Sequence, residues 1–167
     1  MKILVTGATG FIGGRIALDL SEKGYEVIAT GRKPIAKNLF DPFFTEFKGS
    51  YKSCKSFGQL EWQDVLDGVD CVIHCAGKAG TWGDYSSFYE ANVVLTRTIL
   101  EAAKKKSVKR FINLSSPSIY FNFRDQVDIV ETNIPKSFSN AYAKTKYLSE
   151  LEVTKSHSSE FLTLSLR

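Results

Sequence analysis

Apolar positions along the chain follow two alternating rhythms. Short runs of apolar residues predict strands over Lys2–Thr6, Glu26–Thr30, Asp70–Cys75 and Arg110–Leu114, and the alternating run Phe161–Leu166 predicts another. Between them, spacings of three and four predict helices over Phe11–Lys23, which stops at Gly24, and over Trp62–Leu66, which ends at Gly68. A long helix is predicted over Phe88–Lys106, and a last one from Ala141 to about Lys155 with Ser139 or Asn140 as its cap. The region from Pro34 to Leu60 is ambiguous, with Pro42, clustered phenylalanines and Gly49, and yields one short strand near Phe47–Tyr51. A polar, irregular stretch separates the strand ending at Leu114 from the helix at Ala141. Repeats, linkers and low-complexity segments are absent from the pattern.

Apolar strands that alternate with helices imply a parallel sheet covered on both faces. Right-handed crossovers then give an α/β, Rossmann-type doubly wound parallel sheet with helices on both faces. The length of 167 residues suits one domain with a sizeable core.

The first strand runs into Thr6-Gly7-Ala8-Thr9-Gly10-Phe11-Ile12-Gly13, where the first helix begins. A tight strand-to-helix turn needs backbone angles that glycine reaches most cheaply, which accounts for Gly7. Gly10 leaves room for a phosphate to approach the backbone, and Gly13 allows the helix to pack closely on the sheet. The unpaired N–H groups of the first helical turn then face an anion. Gly7, Thr9, Gly10, Phe11, Ile12 and Gly13 are therefore the candidates for binding a dinucleotide. At the end of the second strand an acidic residue would favour a free ribose hydroxyl, as in NAD(H). The chain has Thr30-Gly31-Arg32 instead, a guanidinium suited to a phosphate, so NADP(H) is favoured and NAD(H) stays open. The competing reading makes Arg32 a solvated strand end.

Tyr142 and Lys146 lie four residues apart on the last predicted helix, hence on one face. A phenol ordinarily ionises near pH ~10, and a nearby ammonium stabilises its phenolate, so proton exchange with a carbonyl or alcohol becomes feasible. After the Arg110–Leu114 strand comes Ser115-Ser116-Pro117-Ser118-Ile119-Tyr120. Ligands bind at this end of such strands, so a serine hydroxyl here is placed to bond a substrate oxygen beside the tyrosine.

Composition changes this picture only by exclusion. The net charge of +4 gives little reason to expect nucleic acid, and the basic run Lys104–Arg110 reads as a solvated helix end. The opening apolar run is too short for a signal-peptide core, and nothing in the sequence approaches a membrane span. Cys54, Cys71 and Cys75 form an odd, sparse set that fits a reducing, cytoplasmic setting as buried free thiols, with no metal site.

T-G-x-x-G-x-x-G at residues 6–13, the serine pair after the fifth strand and Tyr142-x-x-x-Lys146 together resemble an extended short-chain dehydrogenase/reductase of the NAD-dependent epimerase/dehydratase group. The stretches HCAGKAGTWGDYSSFYEANV and SSPSIYF look most like its 3β-hydroxysteroid dehydrogenase-like branch, which includes sterol dehydrogenases and bacterial reductases of long-chain β-keto acids. The resemblance implies that Tyr142 is the general acid/base, that Lys146 holds the nicotinamide ribose and tunes the tyrosine, and that Ser116 orients the substrate, with Ser118 in reserve. It places Asn92 near the active site and runs Ala76 and Gly77 beside the cofactor, with His74 a packed strand residue. Trp82 and Tyr85 become candidates for lining a lipid-like pocket or for packing.

The implied reaction is NADP(H)-dependent interconversion of a ketone and a secondary alcohol on a lipid-like or sterol-like small molecule. A nucleotide-sugar epimerase and a non-catalytic NADP(H)-binding module are the alternatives. Sugar-nucleotide dehydratases usually carry Asp-Glu after the catalytic hydroxyl residue, where this chain has Pro117-Ser118, so dehydration is disfavoured. Residues Gly49–Leu60 lack the acid that usually contacts adenine. The family continues into a C-terminal substrate domain that this chain does not contain, so residues 1–167 are expected to be the cofactor-binding domain, weak or inactive alone. Homodimerisation through the Tyr142 helix is a further implication of the resemblance.

Overall fold

The computed structural model describes residues 1–32, 46–54 and 59–167. Six strands, β1 Lys2–Thr6, β2 Glu26–Gly31, β3 Ser50–Ser53, β4 Cys71–His74, β5 Arg110–Leu114 and β6 Leu162–Leu166, pair in parallel in the order β3-β2-β1-β4-β5-β6. The helices are α1 Phe11–Glu22, α2 Gln59–Val65, α3 Tyr85–Tyr89, α4 Leu95–Lys105 and α5 Ala141–Lys155. The order reverses direction between β1 and β4, which leaves a crevice beyond their C-terminal ends.

The register explains which residues form each layer. Leu4 pairs with Ile28 and Val72, and Val72 with Phe111, so these side chains share one face. That face buries Trp62, Val65, Leu66, Ile99, Leu100, Ala102, Ala103 and Val153, drawn largely from α2, α4 and α5. Ile3, Val5, Val27, Ala29 and Cys71 point the other way, where Ala17 of α1 packs on them. Strands apolar on both faces are what a doubly covered parallel sheet requires.

β6 differs. Its Thr163 and Ser165 lie on the helical side, where Thr163 Oγ1 donates to the Val153 carbonyl at 2.8 Å and Asn113 Nδ2 donates to Ser165 Oγ at 3.2 Å. Leu162, Leu164 and Leu166 point outward and are about half exposed. The predicted alternation is present, with its apolar side turned to the surface.

The other boundaries moved for identifiable reasons. The short strand falls at Ser50–Ser53 rather than 47–51, because Ile28 to Gly31 of β2 offer their edge to Ser50–Ser53. The long helix opens at Tyr85, where Asp84 accepts the Ser87 N–H at 3.1 Å and caps it. It also contains one π turn, Glu90–Val94, between α3 and α4. Of the two proposed caps for α5, Asn140 serves, its Oδ1 accepting the Ala143 N–H at 2.8 Å. Arg97 and Glu152 join α4 to α5 at 2.8 Å.

Phe111, the second residue of β5, lies fully buried, its ring 5.7 Å from His74 and 6.3 Å from Phe161 between centroids. Phe111→Ala should lower unfolding free energy by about 3–5 kcal/mol, read as a reduced urea midpoint with an unchanged slope.

Candidate active site

The glycine turn is held by backbone packed on backbone. Gly7 has φ +68°, and a Cβ there would meet the Ala76 backbone at 2.7 Å. A Cβ on Gly13 would stand 2.5 Å from the Gly7 carbonyl oxygen, so α1 reaches the turn only with glycine at that position. α1 has Gly10 at its N-cap and no side-chain cap, leaving its first-turn N–H groups to face the crevice. A cavity of about 320 Å³ opens there, lined by Gly7, Gly10, Phe11, Ile12 and Gly13, by Cys75, Gly77, Lys78 and Ala79 after β4, by Leu114 and Ser115 at the end of β5, and by Asn92, Tyr142 and Lys146.

Tyr142 and Lys146 both reach the cavity from the first two turns of α5, whose cap Asn140 stands two residues before the tyrosine. Lys146 is 6% exposed, and its Nζ donates to the Leu114 carbonyl at 2.6 Å. Burial lowers the pKa of this ammonium to about 8. Tyr142 packs with Phe88, ring centroids 6.4 Å apart.

A buried polar chain ties β1, β4, α4 and α5 together behind this wall. The Ala76 N–H donates to Thr6 Oγ1 at 3.2 Å, and Thr6 Oγ1 meets His74 Nδ1 at 2.8 Å. His74 Nε2 meets Thr96 Oγ1 at 3.0 Å, and Thr96 Oγ1 donates to the Asn92 carbonyl at 2.6 Å. Thr96 has one hydroxyl proton, which goes to that carbonyl, so His74 Nε2 and Ser149 Oγ, 3.1 Å away, must donate to Thr96. His74 is therefore the neutral Nε2–H tautomer, accepting from Thr6 at Nδ1. Burial, with a contribution from the Lys146 charge, lowers its pKa to about 3.

Most of the residues singled out in the sequence come together. Gly7, Gly10, Phe11, Ile12, Gly13, Gly77, Asn92, Tyr142 and Lys146 share the cavity wall. Asn92 lines it as a clamp: Oδ1 accepts the Lys78 N–H at 2.7 Å, while Nδ2 donates to the Lys78 carbonyl at 3.1 Å and to Thr145 Oγ1 at 3.0 Å. A Cβ on Gly77 would sit 2.8 Å from that Oδ1, so the clamp itself demands the glycine. Thr9 packs against Gly31 instead of lining the cavity, and Ala76 enters through its N–H bond to Thr6. Arg32 is exposed just past β2, where its carbonyl accepts from Ser53 Oγ at 3.4 Å. Trp82 is 90% exposed, and neither it nor Tyr85 lines the cavity.

Ser116 is placed differently from its neighbour. Its Oγ lies 2.8 Å from Ser118 Oγ and accepts the Ser118 N–H at 3.2 Å, capping the short 3₁₀ turn Pro117–Tyr120. Ser115 lines the cavity instead, with a buried Oγ that has no partner. Sequence reasoning also missed Lys78, Ala79 and Leu114. Their only signal was adjacency to the ends of β4 and β5, where ligands gather.

Cys54 and Cys71 are buried free thiols, and Cys75 is partly buried. Among the described residues no group of three or more His, Cys, Asp or Glu could hold a metal, and no helix is long and apolar enough to cross a membrane. The adenine-facing stretch expected within residues 49–60 is described only to Cys54 and from residue 59.

The strand order and the glycine turn at its reversal define the Rossmann-type dinucleotide-binding class. The chain belongs to the NAD dependent epimerase/dehydratase family, whose sequence model matches residues 3–167. It is 36% identical over 150 residues to the uncharacterized protein YbjS of Escherichia coli, covering 90% of this chain and 44% of that protein. It is 31% identical to a 2-alkyl-3-oxoalkanoate reductase of Stenotrophomonas maltophilia, covering 100% of this chain and 50% of that one. A sterol-4-alpha-carboxylate 3-dehydrogenase, decarboxylating, of Mus musculus is 28% identical over 99% of this chain and 44% of its own length. Among solved structures, UDP-glucuronic acid 4-epimerase from Bacillus cereus in complex with NAD superposes with a TM-score of 0.82 at 27% identity, covering 100% of this chain and 55% of that one. The chain thus spans about half the length of the relatives it matches.

His74 should make the fold acid-sensitive. A base whose pKa is lowered by folding contributes stability above its unfolded value, near 6.5, that is lost as pH falls towards 3. Unfolding free energy should fall between pH 6.5 and 5 by roughly 1.5 kcal/mol more in wild type than in His74→Gln, followed by denaturant titration at each pH.

Proposed function

We propose that residues 1–167 are the cofactor-binding half of a nicotinamide-dependent oxidoreductase that interconverts a ketone and a secondary alcohol on a lipid-like or sterol-like substrate. A substrate half would follow in the complete protein. The observation that carries this reading is Tyr142 and Lys146, one helical turn apart, on the wall of the cavity that the glycine turn opens. The site fits the dinucleotide on two counts: the uncapped start of α1, and the partnerless Ser115 Oγ buried in the same cavity. Gly7, Gly10 and the first-turn N–H groups would receive the phosphates.

A bound nicotinamide supplies the hydride for reduction, or takes it for oxidation. Tyr142 gives the proton to the substrate oxygen or removes it. Lys146 uses one N–H on Leu114 and keeps two donors for a ribose and for the neighbourhood of the phenol oxygen. Ser115 offers a hydroxyl to a substrate or cofactor oxygen, and Ser116 does so by turning from Ser118. The outward face of α5, with Lys144 and Leu151 exposed, is the proposed homodimer surface.

The cofactor preference rests on Arg32, whose exposed position past β2 suits a ribose phosphate and favours NADP(H). NAD in the solved relative speaks for the other dinucleotide. Its epimerase chemistry also motivates a second reading, in which the cofactor stays bound and is recycled.

Two measurements test these statements. In calorimetric titration the chain should bind NADPH about tenfold or more tighter than NADH, and Arg32→Ala should erase that difference, since a charge-assisted phosphate contact is at stake. In the complete protein, Tyr142→Phe should lower kcat by about 10²–10⁴-fold while leaving nucleotide affinity within twofold. Tight co-purified nicotinamide with turnover of nucleotide sugars would support the epimerase reading instead.

A further inference from the structure

Among the described residues two cations line the cavity, Lys78 and Lys146, and no acidic side chain does. Lys146 is committed to the Leu114 carbonyl behind Tyr142. Lys78 has no such assignment. Its backbone is fixed on both sides by Asn92, whose side chain accepts the Lys78 N–H and donates to the Lys78 carbonyl. Its Nζ lies 2.5 Å from Ser87 Oγ and 4.7 Å from the centre of the Phe88 ring. The same ring packs against Tyr142, so the ammonium and the phenol flank one aromatic side chain.

An ammonium has three donors, and the described contacts use one on a neutral hydroxyl and offer another to a ring face. The acid whose charge Lys78 stabilises is Asp84, but its carboxylate is committed to capping α3 through the Ser87 N–H and the Ser86 hydroxyl. An ammonium with no carboxylate in salt-bridge reach among the described residues, sharing the Phe88 ring with Tyr142, suits an anionic group on the substrate. The names of two relatives share that feature: a 3-oxoalkanoate and a sterol 4-carboxylate oxidised at carbon 3 both place a carboxylate two carbons from the reacting oxygen's carbon.

We propose that Lys78 is a specificity-determining residue that binds the carboxylate of a 3-oxo or 3-hydroxy acid while Tyr142 serves the neighbouring oxygen. This rests on the oxidoreductase reading above and names its substrate class. In reduction, hydride adds to the C3 carbonyl carbon, the C=O π pair moves to oxygen, and oxygen takes the Tyr142 proton. The nicotinamide leaves oxidised and Tyr142 is reprotonated from solvent. The carboxylate bound by Lys78 is unchanged.

The experiment measures turnover of a 2-alkyl-3-oxoalkanoate and of its methyl ester by the complete protein, as wild type, Lys78→Gln and Lys78→Arg. The ester keeps the ketone and removes the charge. Wild type should prefer the acid. Lys78→Gln should raise KM for the acid by about 10- to 100-fold, with the ester and nucleotide affinity changed less than twofold, and Lys78→Arg should retain most of the preference. Equal effects on acid and ester, or a selective loss of nucleotide binding, would overturn the assignment of Lys78 and leave the oxidoreductase reading intact. Turnover of neither compound by wild type, with turnover of a nucleotide sugar, would overturn the underlying reading and this one with it.

Discussion

Everything at the site depends on one close approach of backbone to backbone. The turn after β1 touches the start of α1 at Gly13 and the segment after β4 at Ala76, with no side chain between them. A methyl group at Gly13 or Gly7 would push α1 or the β4 segment away by more than an interior packed at crystal-like density can absorb. The crevice at the reversal of strand order is therefore narrow because glycine makes it so. Its narrowness brings uncapped N–H groups from α1 opposite a lysine and a tyrosine from α5, elements more than a hundred residues apart in sequence.

Buried polar groups do the aligning. Asn92 in the π turn uses its side chain to hold Lys78 and Thr145, while its carbonyl ends the chain through Thr96, His74 and Thr6. Each member is satisfied, which is the condition for a buried network to favour one arrangement rather than weaken the core. Among the described residues, the one buried hydroxyl on the cavity wall left without a partner, Ser115 Oγ, sits where a ligand would supply one. The π turn matters here because an extra residue per turn rotates Asn92 towards the β4 segment, an arrangement seen frequently at functional sites.

Much of this was legible in the sequence. Strong periodicity fixed β1, β5 and α5 to the residue, and the glycine spacing with Tyr142 and Lys146 located the cavity. What stayed hidden has physical causes. β3 is half polar and defined by pairing with β2, so its own pattern misplaced it by about a strand's half-length. The single π turn at Glu90–Val94 is too short for apolar spacing to separate from the helix around it. Ser115 and Ser116 are chemically alike, and only the 3₁₀ turn decides which hydroxyl is consumed as a cap. Lys78 reads as one surface lysine among many until the fold folds its segment across the mouth of the crevice.

The hydrogen-bonded chain through His74 has a consequence for disorder rather than for binding. Rings and rows of hydroxyls usually admit two equal senses of donation, and the choice between them leaves residual entropy in the folded state. Here one terminus is the Ala76 amide, which only donates, and the other is the Asn92 carbonyl, which only accepts. The two termini leave a single sense. The imidazole between them has one tautomer and one ring orientation, set by backbone groups that no side-chain rotation can reverse.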